Sequence, residues 1–230
     1  MDIRKIVTNS KARKSRNNRP IKAFVDLYDS TDLALKEITA LSVSEATYET
    51  LLKSHIINTV TAVEVYYRDI LDSIFRLCKP ESFTNKLKQL HDRSYKIDEL
   101  IEMYIHRIHP LELISNNLNF QNTQNIEKVF TILLGKSFFK ELKTTKWRLS
   151  KSPENEYEIS HADIEALQEL FDERHKLIHN PHKHFSLKKE LILEKIDTAL
   201  GIIIASDIVI SNFINENIDP ELTKNGSIDK

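Results

Sequence analysis

Six residues in the last third of the chain combine one guanidinium with two imidazoles: Arg174-His175-Lys176-Leu177-Ile178-His179, followed by Asn180 and Pro181. On a helix, residues four apart stand one turn apart, so His175 and His179 lean toward the same groove as the long Arg174 side chain. A guanidinium presents a planar fork to phosphate oxygens, and an imidazole gains and loses its proton near neutral pH. Together they suit an anionic phosphodiester, which needs its charge held and its protons moved. The surrounding charge supports this. Glu154 to Glu173 holds eight acids and no Lys or Arg, whereas Arg174 to Lys189 holds five Lys/Arg, four His and no acid. Lys176, Asn180, His182 and Lys183 therefore extend the site as candidate substrate contacts.

A second stretch, Lys143-Thr-Thr-Lys146-Trp147-Arg148-Leu-Ser-Lys151, has four positive charges, no acid and the only Trp. Lys146 and Arg148 can hold phosphates while Trp147 stacks on a base. Equally, Trp147 can fold onto the core at a solvated helix end. His175, His179, His182 and His184 could be taken for a zinc cluster, but Lys176 stands where a HExxH motif has its Glu, and the neighbouring lysines repel a cation. No metal or other cofactor is expected. Cys78 is a packing residue by its surroundings, Leu77-Cys78-Lys79-Pro80, and Asn116, Asn117 and Asn119 are turn formers by default.

The element that positions the cluster is a helix over 160–179. Ser160 with Asp163 three residues on forms a short capping box, and Asn180 before Pro181 ends the helix. Ile164, Leu167, Leu170, Phe171, Leu177 and Ile178 share a sector about 120° wide, with Arg174 near its middle. A buried guanidinium without a partner is costly, so Arg174 must meet a buried carboxylate (Glu64 and Asp69 are candidates), line a cleft, or face another subunit. Apolar spacing predicts further helices over 21–40, 44–78, 81–91, 95–107, 124–134, 137–145 and 185–217, and loops over 108–123 and 146–159. The fold class is all-α, a helical bundle with inserted short helices.

The 230 residues suit one domain, and a single Cys excludes a disulfide framework and a Cys-rich zinc site. Three glycines cannot build a GxGxxG fingerprint or a Walker A loop, which excludes those two nucleotide-binding folds. The longest charge-free apolar run, 199–206, is far shorter than the roughly 20 residues that span a bilayer, so neither a transmembrane helix nor a secretory signal is expected, and the setting is a reducing cytoplasm. Residues 1–20 carry seven Lys/Arg against Asp2, while the rest of the chain is mildly acidic. This basic arm is expected to stay unstructured until it meets a polyanion, or to serve as a solubilising tail; residues 21–217 form the domain and 218–230 a flexible tail.

The Arg174-x4-His179 spacing at a helix end, before a final long helix, resembles the HEPN superfamily, the helical "higher eukaryotes and prokaryotes nucleotide-binding" domains. The segment Thr61-Ala-Val-Glu-Val-Tyr-Tyr-Arg-Asp-Ile-Leu71 is similar to the second-helix segment of the RiboL-PSP type. The resemblance implies a metal-independent endoribonuclease whose Arg and His, from two protomers of a homodimer, line a cleft at the twofold axis. The RNA 2′-OH would attack the adjacent phosphorus, leaving a cyclic phosphate and a 5′-OH. It assigns His179 as general acid/base, Arg174 as the group that stabilises the phosphorane, and His175 as a positioning residue. It further implies a toxin or antiviral effector with an antitoxin or defence-system partner. The alternative it allows is a non-catalytic module that binds RNA, nucleotide or a partner protein.

Overall fold

The computed structural model describes residues 19–41, 43–90, 94–106, 108, 110–149, 152–180 and 189–221. The expected basic arm up to residue 18, His182, Lys183, His184 and the tail beyond residue 221 lie outside them. In chain order the helices are α1 (Pro20–Ala40), α2 (Glu45–Leu77), α3 (Thr84–Leu90), α4 (Ile97–Ile105), α5 (Pro110–Asn117), α6 (Thr123–Leu134), α7 (Phe138–Thr144), α8 (His161–His179) and α9 (Lys189–Asn217). A hairpin of β1 (Trp147–Leu149) and β2 (Ser152–Tyr157) precedes α8. The architecture is all-α apart from that hairpin.

Four long helices carry the structure, and α3 to α7 are inserted between the second and third of them. Ser44 caps α2, its side chain accepting from the Thr47 N–H at 3.2 Å, and Pro80 follows the helix end. The ends of α2 and α9 are tied side by side, with Lys79 N–H donating to Asn217 O and Asp219 N–H to Leu77 O, both at 2.9 Å. Farther in, the Tyr67 hydroxyl bonds Ser206 Oγ at 2.8 Å and the Tyr66 hydroxyl donates to Asp207 at 3.3 Å. The two helices thus run parallel. Tyr28 of α1 bonds the Asp197 carboxylate, closing a third side. Burial pushes both the Tyr66 hydroxyl and the Asp207 carboxyl up from their ordinary values, as it must where a charge would lose water.

The centre of the core is aromatic. Tyr67, Phe120, Phe130 and Phe138 are buried, with ring centroids 5.0 to 6.4 Å apart in tilted and edge arrangements. Ile202 and Ile203 of α9 are also buried, as expected for a helix apolar nearly all round. By length and composition, α9 is apolar enough to cross a bilayer, and half of its most apolar stretch is buried inside the bundle. The charge-free run ending at Ser206 understates this helix, because Asp207 interrupts the apolar stretch without ending it.

Three expectations need correction. Residues 110–117 form a helix, not a loop: Pro110 stands at its first position, where a missing N–H costs nothing, and Leu113 and Ser115 are fully buried. Residues 147–149 and 152–157 pair as antiparallel strands, with Trp147 facing Tyr157 across them and the rings stacked 6.1 Å apart. The helix expected over 81–91 begins as a 3-10 turn, Pro80–Ser82, before α3. Elsewhere Asn119 forms a turn, its Oδ1 accepting from Gln121 N–H at 2.8 Å. Gly135 closes α6 at φ 74°, a left-handed conformation that a Cβ would strain. Cys78 is buried, and its thiol is pushed up to about 11 by that burial, so it is a packing residue.

Candidate functional site

Helix α8 starts where its capping box lies. Ser160 Oγ accepts from Asp163 N–H at 3.2 Å, and Asp163 Oδ2 accepts from Ser160 N–H at 2.7 Å. It stops at Asn180, whose N–H donates to Lys176 O at 2.9 Å. Ile164, Leu167, Leu170, Phe171 and Leu177 are buried as the spacing predicts.

At the last two turns the buried side rolls around. Glu173 is 2% exposed and Leu177 4%, while Ile178 is 44% exposed and Arg174 is only half-buried. The apolar stripe therefore does not close over Arg174; it opens into a surface on which Arg174, His175, Ile178 and His179 lie together. The two imidazole rings are 4.3 Å apart, tilted by 55°. His175, Lys176, His179 and Asn180 are exposed. Lys176 and His179 occupy the last turn, where unpaired carbonyls favour positive charge.

Arg174 makes no ion pair among the described residues, and its Nε is buried without a hydrogen-bond partner. Glu64 is engaged elsewhere: its two oxygens accept from Arg68 and from Gln121, each at 2.7 Å. Asp69 is buried on α2. The carboxylate that the sequence reading missed is Glu173, which takes the Lys176 Nζ at 3.3 Å. The signal for it was the run of eight acids ending at this residue.

Lys146, Trp147 and Arg148 are not gathered at this cluster. They sit on the hairpin beside the start of α8, and from Ser160 to Arg174 the helix rises about 21 Å. Trp147 is half-buried against Tyr157, its ring edge also reaching α9 at Gly201, where an added Cβ would stand 3.7 Å away. Lys146 and Arg148 share the Glu156 carboxylate at 2.8 and 3.3 Å. The Lys146 hydrogen bond holds that carboxyl below its ordinary value.

A family model described as RiboL-PSP-HEPN matches residues 22–212, which include α1 through most of α9 and the whole Arg174 to Asn180 cluster. The chain belongs to the RiboL-PSP-HEPN family. No curated protein and no solved structure matches it. Membership of RiboL-PSP-HEPN suggests a nuclease or RNA-related role.

Proposed function

We propose that the protein is a metal-independent endoribonuclease that acts as a homodimer in the cytoplasm, as a toxin or antiviral effector. The observation that carries this reading is a guanidinium without an acid partner among the described residues, beside two exposed imidazoles at one helix end, in a RiboL-PSP-HEPN chain. Phosphate oxygens are among the ligands that match an uncommitted Arg fork.

In this mechanism the 2′-oxygen bonds to phosphorus as its proton is taken by a base, and the bond to the 5′-oxygen breaks as that oxygen receives a proton. His179 moves the proton at one of these oxygens. Arg174 neutralises the charge that builds on the non-bridging oxygens. His175, 4.3 Å from His179, orients the RNA or the His179 ring. Ile178 and Leu191 leave apolar surface exposed on α8 and at the start of α9, which favours closing the cleft with a second copy. RNA incubated with the protein in EDTA, followed by end-group analysis, tests the reading: fragments with cyclic phosphate and 5′-OH ends are expected, and intact RNA that is nonetheless bound would favour the non-catalytic alternative.

A further inference from the structure

Helix α4 is amphipathic in the wrong direction for a core helix. Ile97, Leu100, Ile101, Tyr104 and Ile105 are all between 45% and 86% exposed. At about 100° per residue these five cover one sector roughly 140° wide. Met103, the buried residue of the helix, lies on the opposite side and joins Ile108, Leu113 and Tyr95 in a small cluster apart from the main core. A helix of nine residues is well below the roughly 12–15 at which isolated helices become even marginally stable, so a contact on its open face would contribute much to its order.

The charges along this face indicate what that contact is. Asp98 and Glu102 line one edge of the apolar sector and make no ion pair among the described residues, and α4 contains no Lys or Arg. A second α4 packed antiparallel about a twofold axis would set Asp98 and Glu102 against their own copies, and among the described residues a parallel one would turn only Lys96 of the N-cap toward that edge. An anionic bilayer would be repelled by the same edge. A contiguous exposed apolar face of this kind marks an interaction site.

We propose that the outward face of α4 docks a partner protein through an amphipathic segment whose apolar side chains are flanked on one side by Lys or Arg. The apolar sector supplies the contact, and Asp98 with Glu102 sets the partner's charge and orientation. This assignment stands whether or not the Arg174 cluster cuts RNA.

The test uses the full chain and two synthetic helical peptides with one shared Leu face, one flanked by Lys and the other by Glu, with binding followed by calorimetry. The Lys peptide should bind at least about fivefold tighter, the size expected of two exposed charge pairs. Ile101→Gln should weaken it about tenfold, the loss expected when one well-packed apolar contact is removed. Asp98→Lys with Glu102→Lys should turn the preference toward the Glu peptide. Both changes lie on an exposed face, so circular dichroism should show an unaltered fold. Equal binding of the two peptides, or binding indifferent to Ile101→Gln, would overturn the proposal. So would dimerisation or phosphatidylcholine-vesicle binding that Ile101→Gln abolishes while neither peptide binds. Peptide binding that appears only after removal of residues 1–18 would assign the face to the chain's own basic arm instead, and would equally overturn it.

Discussion

His55 shows how far a single buried residue can set the pH response of this fold. It is 3% exposed, its Nδ1 has no partner, and its ring lies 6.5 Å from that of Tyr28. Burial lowers its pKa from the ordinary value, outweighing the opposite pull of Asp32 and Asp197. The folded state therefore binds this proton less readily than the unfolded chain. Stability that depends on neutral His55 is present above the ordinary histidine value of about 6.5 and is lost as pH falls below it. Thermal melts between pH 7.5 and 5 should show Tm dropping on the acid side, and His55→Gln should flatten that drop; an unchanged acid limb in the variant would refute the assignment. Arg174 was legible from the sequence as an unusual residue in an apolar stripe. Its surroundings were not, because a helical wheel assumes that one side faces the core along the whole helix. At Glu173 and Ile178 that assumption fails, since at the helix end the buried side turns toward Glu173 and Leu177 and leaves Ile178 outside.

At the scale of elements, α8 was readable because its boundaries are written in local chemistry. Ser160 and Asp163 satisfy each other's backbone N–H groups, and the X–Pro step at Asn180 opposes further helix. Ser160→Ala should cost about 1 kcal/mol of stability in chemical denaturation while leaving the fold intact, the typical loss of a helix N-cap. A change within error would mean that Asp163 alone serves the helix start. The hairpin was not legible, since Trp147 and Tyr157 are ten residues apart and only their pairing makes strands of an otherwise polar stretch. Likewise Pro110 reads as a breaker from sequence and acts as a helix start once Leu113 has a core to enter.

For the whole molecule, the four long helices were predictable from apolar periodicity, and their assembly was not. Contacts such as Tyr67 with Ser206, or Tyr28 with Asp197, join residues more than a hundred positions apart, which no local pattern encodes. The proposed function also depends on a second copy. Light scattering should give a homodimer, and Ile178→Asp should shift it toward monomer, because a carboxylate would have to be buried against the apolar contacts beside Arg174. A monomer that cleaves RNA at high dilution would remove the need for the twofold cleft. Deleting residues 1–20 removes seven Lys/Arg, so RNA affinity should fall and become less sensitive to salt with the domain still folded. Unchanged affinity across a salt series would make that arm a solubilising tail.

The most direct test of the central claim is single-turnover cleavage of RNA in EDTA by the wild type, Arg174→Ala and His179→Ala, each checked for native helicity. Both residues lie in the last two turns of α8, His179 exposed and Arg174 half-buried, outside the packed core, so the variants should fold. Each variant is predicted to cut at least about 100-fold more slowly, the typical loss of a general acid/base or of a group that stabilises developing charge. Wild-type rates in either variant, or cleavage that EDTA abolishes, would contradict the account.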